Sequence, residues 1–224
     1  MSGTVLMTQQ IIDIYDESLL LRTAIGLSVV PIKKQQAAAL VQERHYLHRK
    51  PPISYAFGLY QDAVIQGVCI FGVPPSRHLQ MSACPSNPSS VLELNRLWVD
   101  DSMARNTESW FVSRCLKQLP ALIVVSYADT AYHHRGFIYR ALSWRFAGLT
   151  DEGRKTPRFD YLVPGKHSRE AFRSGQGVNA EKVRRRPKYR YWTVTGNRRE
   201  RRALSALCGW PDKPWAGYDA RTQA

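Results

Sequence analysis

The chain has no run of the roughly 18 apolar residues that a membrane-spanning helix needs. Its opening stretch, MSGTVLMTQQIIDIYDESLLL, carries acids where a secretory leader carries bases. Cysteine is scarce: Cys69, Cys84, Cys115 and Cys208 show no C-x-x-C spacing, and three of them sit in apolar segments, where a free thiol behaves as a small hydrophobe. A disulfide framework and a zinc site are therefore not expected, and a reduced, cytoplasmic setting is. Acids are outnumbered as well, 18 Asp and Glu against 32 Lys and Arg, for a formal net charge of +14. That balance favours a polyanionic partner, nucleic acid before an acidic membrane. There are no internal repeats.

With 44% hydrophobic residues, 224 residues suffice to bury one sizeable core. Charge is uneven: residues 1–150 hold 14 Lys and Arg against 10 acids, residues 151–224 hold 18 against 8. The expected organisation is a catalytic domain over 1–163 and a basic extension over 164–224, packed on it and touching nucleic acid. The extension is densest in EKVRRRPKYRYWTVTGNRRERR, where Tyr189, Tyr191 and Trp192 interleave with basic side chains. Cations neutralise phosphates and rings stack on unpaired bases, so Arg184, Arg185, Arg186, Lys188 and Arg190 are candidate nucleic-acid contacts. The plainer alternative is a solvated basic face.

Hydrophobic patterning places a strand at 27–32, a helix at 33–44, a hairpin of strands 54–60 and 64–72 turning at Gln61–Asp62, and a strand at 92–99. VPPSRHLQMSACPSNPSS between them reads as a loop too polar for the core, with Arg77 and His78 placed to touch a groove or phosphate. Asn106 or Thr107 is expected to cap a helix through Leu119, with Glu108 suiting its dipole. Strands follow at 121–128, 143–149, 159–163 and 189–194, a short helix at 137–142, and helices near 168–174, 179–185 (stopped by Pro187) and 198–207.

Four polar residues intrude on the strands from Leu92 onward: Asn95 and Arg96 in VLELNRLWV, Ser126 and Asp129 in LIVVSYAD. A buried charge without a partner is costly, so these residues read as the polar floor of a binding site at strand ends.

The order β, α, β, β, β, α, β, α, β resembles the acyltransferase fold of GNAT-type N-acetyltransferases: α/β, with a mixed, mainly antiparallel central sheet flanked by helices. More closely, the chain resembles the Mom family of phage Mu-like DNA-modification proteins. The resemblance is carried by HYL at 45–47, AFGLY at 56–60, GVCIFGVPPS at 67–76, ELNRLWVDD at 93–101, RNTES at 105–109, VSYAD at 125–129 and GFIYRAL at 136–142. It implies a transferase that gives adenine in phage DNA a carbamoylmethyl group on its exocyclic amine, defeating host restriction enzymes. Double-stranded DNA is then the partner.

One departure from the acetyltransferase pattern has chemical weight. CoA-dependent members cradle pyrophosphate on a glycine-rich turn at a helix start. Arg105-Asn106-Thr107-Glu108-Ser109-Trp110 has no glycine there and places an acid where phosphate would lie, which argues against a conventional acetyl-CoA site. A glycyl group on the exocyclic amine is an isomer of carbamoylmethyl, so glycyl-tRNA is a candidate donor. Iron for a radical route is an alternative, with His45, His48, His133, His134 and Asp129 as candidate ligands.

Given the resemblance, His45 and Tyr46 read as functional; alone, they read as a helix-end cap and a core ring. Arg96 suits a carboxyl, phosphate or base edge, or a structural pairing with Asp129 or Glu93. Asp129 suits the proton of the adenine amine, or a cap for the next turn. Tyr139 lies where acetyltransferases often place a proton donor, and Ser109 is a weaker catalytic candidate beside it. Tyr60, Asn95, Ser126 and Tyr127 are candidate substrate contacts, since an extruded base needs aromatic and polar walls. Two other classes stay open: a CoA-dependent N-acetyltransferase of a protein or small molecule, and a non-catalytic basic nucleic-acid-binding protein.

Overall fold

The computed structural model describes residues 26–163, 172–175 and 179–215. β1 (Leu27–Pro31), β2 (Tyr55–Gln61) and β3 (Val64–Gly72) form an antiparallel meander. The β2–β3 turn puts Asp62 and Ala63 at φ of 49° and 66°, the left-handed pair that a tight hairpin twist requires. α1 (Lys34–Arg44) crosses back over the meander and buries Ala37, Ala38 and Val41. β4 (Val91–Val99), α3 (Thr107–Leu116), β5 (Ile123–Asp129), α4 (Phe137–Ala141) and β6 (Arg145–Leu149) follow, then a separate ribbon of β7 (Phe159–Leu162) and β8 (Glu181–Arg184). β9 (Lys188–Val194) returns to the main sheet between β5 and β6, giving the order β1-β2-β3-β4-β5-β9-β6, and α5 (Arg198–Leu207) follows it. This is the expected mixed, mainly antiparallel sheet flanked by helices.

β4 and β5 are the one parallel pair among the described strands, and their ladder spans three positions only: Val91 with Ile123, Leu92 with Val124, Glu93 with Val125. Both strands continue, but apart. The cause lies on the other edge of β4, where β3 pairs Ile70 with Arg96 and Phe71 with Leu94, leaving Asn95 as an extra residue. Such a bulge bends its strand. Asn95 Nδ2 donates to the Pro52 carbonyl at 2.8 Å, which fixes the bend.

One sheet face carries Phe57, Leu59, Cys69, Phe71, Leu94 and Tyr191 under α3 and α4. The opposite face carries two separate apolar clusters. In one, Ala56, Val68 and Ile70 pack on Ala37 and Val41 of α1. In the other, Val91, Ile123, Val125 and Trp192 pack on Ala83, Cys84 and Trp210. Strand alternation, reset by the bulge, puts Glu93, Arg96, Tyr127, Asp129 and Lys188 on this same face, along the seam between the clusters.

Several expectations are corrected. The polar stretch 73–90 contains a helix, α2 (Arg77–Ala83), and a 3₁₀ turn at Pro88–Ser90. Ala83 and Cys84 are fully buried there because Trp210 packs on them and donates from Nε1 to Ser82 Oγ at 2.9 Å. Residues 181–184 are strand rather than helix: β8 pairs with β7, and Arg185 beyond it grips Asp160. α3 ends at Leu116, not Leu119. Asn106 stands before it in the left-handed region (φ 70°), and its side chain bonds no helix N–H. Thr107 Oγ1 donates back to the Ala104 carbonyl instead. Tyr191 and Trp192, expected as stacking surface, are core residues at 0% and 2% exposure. The expected helix near 168–174 falls mostly outside the described residues. No helix among the described residues is long and apolar enough to cross a membrane.

Candidate active site

The seam runs to the end of α1, where polar and aromatic side chains from α1, β4, β5 and the turn after β5 come together. His45, just past α1, is buried at 5% exposure, and its Nδ1 accepts the Leu47 N–H at 3.1 Å. Nδ1 is thus the acceptor and Nε2 carries the proton. Burial, then the positive Arg96, lowers its pKa to about 4, so His45 is neutral near pH 7. Tyr46 stacks on it with centroids 4.3 Å apart, and Tyr132 and His134 lie 4.4 and 5.4 Å from Tyr46 on its exposed side. Burial and the negative Asp129 push the Tyr46 phenol up to about 12, leaving it a donor and not a base. Tyr46 and Tyr132 remain 41% and 47% exposed, an aromatic rim open to a planar ligand.

The floor is charged. Arg96 Nη1 donates to the Asn95 carbonyl at 2.6 Å, while its Nε is buried without a partner. Glu93 is half-buried, with its Oε2 buried and unpartnered. Burial raises its carboxyl pKa to about 7 against the pull of Arg96 and Lys188. Asp129 accepts the Ala131 N–H at 3.0 Å, so it does cap the following turn, and its other oxygen meets Lys188 Nζ at 2.6 Å. Tyr127 lies against Trp210, centroids 6.3 Å apart, and its phenol is raised by burial and by Glu93. Buried polar atoms normally find partners. Glu93 Oε2 and Arg96 Nε are thus an unpartnered acceptor and an unpartnered donor on one face of the sheet.

Beneath the floor, Ser126 Oγ donates at 3.0 Å to the Leu94 carbonyl that the interrupted β4–β5 ladder leaves free. With its proton so used, Ser126 accepts from the Tyr139 hydroxyl at 2.8 Å. Tyr139 is packed between Trp144 and Tyr191, and burial raises its pKa. Its hydroxyl stands at the gap where the strands part, within electrostatic reach of Tyr46.

The structure thus gathers His45, Tyr46, Arg96 and Asp129, with Tyr127 in the floor, Asn95 shaping it, and Ser126 and Tyr139 below. It sets three candidates apart. Tyr60 takes a 3.4 Å bond from Gln36 near the start of α1, about nine residues or ~13 Å of helix from His45. Ser109 donates to Asn106 O at 2.9 Å and lines a different cleft, of about 300 Å³, between α3 and α4. Arg77 is exposed on α2. Among the basic candidates, Arg185 is paired with Asp160, Lys188 with Asp129, and Arg190 donates to the Ala147 carbonyl at 2.9 Å with its guanidinium over Trp210. Among the described residues no group of three or more His, Cys, Asp and Glu is arranged to hold a metal ion.

Sequence reading missed Tyr132 as a member of the site and Lys188 as the partner of Asp129; it named Glu93 only as a structural partner of Arg96, and His134 only as a metal ligand. Glu93 carried the same signal as Arg96, a charge inside an otherwise apolar strand. Its place on the Arg96 face shows only once the bulge at Asn95 is known.

The pocket defines an α/β protein whose mainly antiparallel sheet parts between β4 and β5 over a charged floor. The Mom protein family matches residues 26–207, and the chain belongs to that family. The methylcarbamoylase mom of Escherichia phage Mu is 31% identical over 130 residues, which are 54% of this chain and 54% of that protein. The match therefore spans about half the length of that curated relative. Among solved structures, similarity extends to a ribosomal-protein-S5-alanine acetyltransferase from Vibrio fischeri (TM-score 0.45, 9% identity, 77% of this chain and 94% of that one). It extends also to an N-acetyltransferase from Staphylococcus aureus Mu50 (TM-score 0.44, 11% identity, 75% and 98%).

Proposed function

We propose that this protein is a transferase that converts adenine in phage DNA to N6-carbamoylmethyladenine, shielding the DNA from restriction. The observation that carries the reading is the pocket of a Mom family chain in which an aromatic rim stands over a floor with one unpartnered acceptor and one unpartnered donor. Adenine inside a duplex is out of reach, so the base is extruded and its face rests on Tyr46 and Tyr132. Glu93 and Asp129 accept hydrogen from the exocyclic amine. Arg96 and the Nε2–H of His45 donate to the oxygen that develops on the transferred acyl group.

A glycyl donor, glycyl-tRNA, fits the product. The amine displaces the tRNA ester oxygen and gives C6–NH–CO–CH2–NH2. The free glycyl amine then attacks C6, and the C6–N bond to the original nitrogen breaks, leaving C6–NH–CH2–CO–NH2 with no atom gained or lost. Glu108 in the first turn of α3, beside a non-glycine start, disfavours CoA pyrophosphate at that helix.

Nucleosides from DNA co-expressed with the protein, analysed by mass spectrometry, are expected to include N6-carbamoylmethyladenine; its absence overturns the reading. Transfer of label from acetyl-CoA but not from glycyl-tRNA would instead favour an N-acetyltransferase, and loss of activity on chelation would favour an iron route.

A further inference from the structure

A second cleft, of about 600 Å³, opens between the segment after β6 and the β8–β9 connection. Five arginines line it, Arg154, Arg158, Arg184, Arg185 and Arg186, against two acids, Asp151 and Glu152. Both acids are already engaged, Asp151 with Arg154 and Arg158, and Glu152 with Lys213 at 2.9 Å. Arg185 is held by Asp160. Arg184 and Arg186 have no acid within ion-pair distance among the described residues. A guanidinium has five N–H donors and a carboxylate engages about two of them, so the paired arginines keep donors for another anion while their pairing holds them in place.

This cleft is joined to the first pocket. Thr150 N donates to Lys188 O and Lys188 N to Thr150 Oγ1, each at 2.8 Å, and Thr130 Oγ1 donates to the Pro187 carbonyl at 2.6 Å. Pro187 lines the cleft, and the next residue, Lys188, pairs with Asp129 in the pocket floor. Arg186 is two extended residues, roughly 7 Å, from Lys188.

We propose that the arginine cleft binds phosphodiester groups of the target DNA strand, immediately beside the nucleotide whose base enters the first pocket. The proposal rests on DNA being the substrate. A base turned out of the helix leaves its flanking phosphates at the pocket rim, within that reach. The phosphates there fix the register of the strand and carry no sequence information.

The test measures duplex DNA binding by fluorescence anisotropy across a salt series for the full chain and for Arg184→Ala/Arg186→Ala. Both side chains are exposed, and a matched thermal melt confirms folding. The slope of log affinity against log salt is expected to become shallower by about 2, with weaker binding at every salt concentration. Arg184→Lys/Arg186→Lys should keep most of the slope. An unchanged slope and affinity overturns the proposal, and so does a loss confined to tRNA binding. Because the readout is binding, it stands apart from the function reading: DNA binding weakened in the variant while the parent makes no modified adenine would sink that reading and leave the cleft.

Discussion

Glu93→Gln should change how stability depends on pH more than how stable the protein is at any one pH. The buried carboxyl titrates near pH 7 in the folded chain instead of its ordinary 4.5. Between those values the folded state binds more protons than the unfolded one, so the stability due to Glu93 is complete below about pH 4.5 and lost as pH rises through 7. At ~1.4 kcal/mol per pH unit, the amount lost is about 3 kcal/mol. His45 works the other way. Its pKa falls from 6.5 to about 4 on folding, so its contribution is present above pH 6.5 and lost as pH falls through 4. In the parent protein the two slopes oppose each other over the shared window. Glutamine keeps the shape of the side chain and removes one slope. Urea unfolding of both proteins at pH 5, 6, 7 and 8 should show the variant gaining about 2–3 kcal/mol on the parent from pH 5 to 8. For a chain of this size that is a relative Tm gain of roughly 4–12 °C. Any fixed cost of an unsatisfied amide shifts the whole curve and leaves the difference in slope intact. Parallel profiles would refute the burial-raised pKa of Glu93 and with it the charged floor.

Asp129→Asn strands Lys188 and weakens the cap on Ala131, at about 1–2 kcal/mol; as a group accepting the amine proton its loss should cut modified adenine by about 10²-fold or more, read by nucleoside mass spectrometry beside a melt, and near-parent yield would remove it from the mechanism. Tyr139→Phe leaves Ser126 bonded to Leu94 and should cost about 1 kcal/mol in chemical denaturation; a cost above about 3 kcal/mol would mean that the hydroxyl supports more than Ser126. Gly72→Ala would drive a Cβ into the Pro52 carbonyl and Asn95 Nδ2; a loss of about 1–3 kcal/mol is expected on thermal unfolding, and an unchanged Tm would contradict the tight fixing of the bulge.

Alternation made the strands legible, and charges inside strands made Arg96 and Asp129 legible. The local extra residue was not. Asn95 as a bulge depends on which residues of β3 oppose it, and that pairing is set by chain folded forty residues earlier at Pro52. The same blindness to partners explains YRYWTV. Its alternation predicted a strand correctly, but the basic neighbours suggested a wet aromatic face. In the sheet, both Tyr191 and Trp192 are covered, by α4 on one face and Trp210 on the other. The sequence of α2 reads as loop because its apolar residues, Leu79, Met81 and Ala83, alternate instead of following a helical period, and the cover of Ala83, Trp210, lies far along the chain. EKVR was read as helix because four residues of mixed charge carry too little pattern to separate the two states.

A charged floor inside a sheet is costly, and the fold meets that cost by interruption. The β4–β5 ladder stops after three positions, and the face bearing Glu93 and Arg96 lies between two apolar clusters and not beneath one. The bulge at Asn95 ends the parallel ladder after Glu93, and Ser126 takes up the Leu94 carbonyl so that the opened backbone is not left unsatisfied. The two apolar clusters then cover the sheet on either side of the seam without meeting over it. In the floor, Arg96 is held by the Asn95 carbonyl and Asp129 by Lys188 and Ala131, while Glu93 Oε2 and Arg96 Nε stay unpartnered. Filling Asn95 with an apolar residue would remove the anchor at Pro52. The floor is thus a consequence of one extra residue in β4, and the chemistry of the pocket depends on that geometry as much as on its charged side chains.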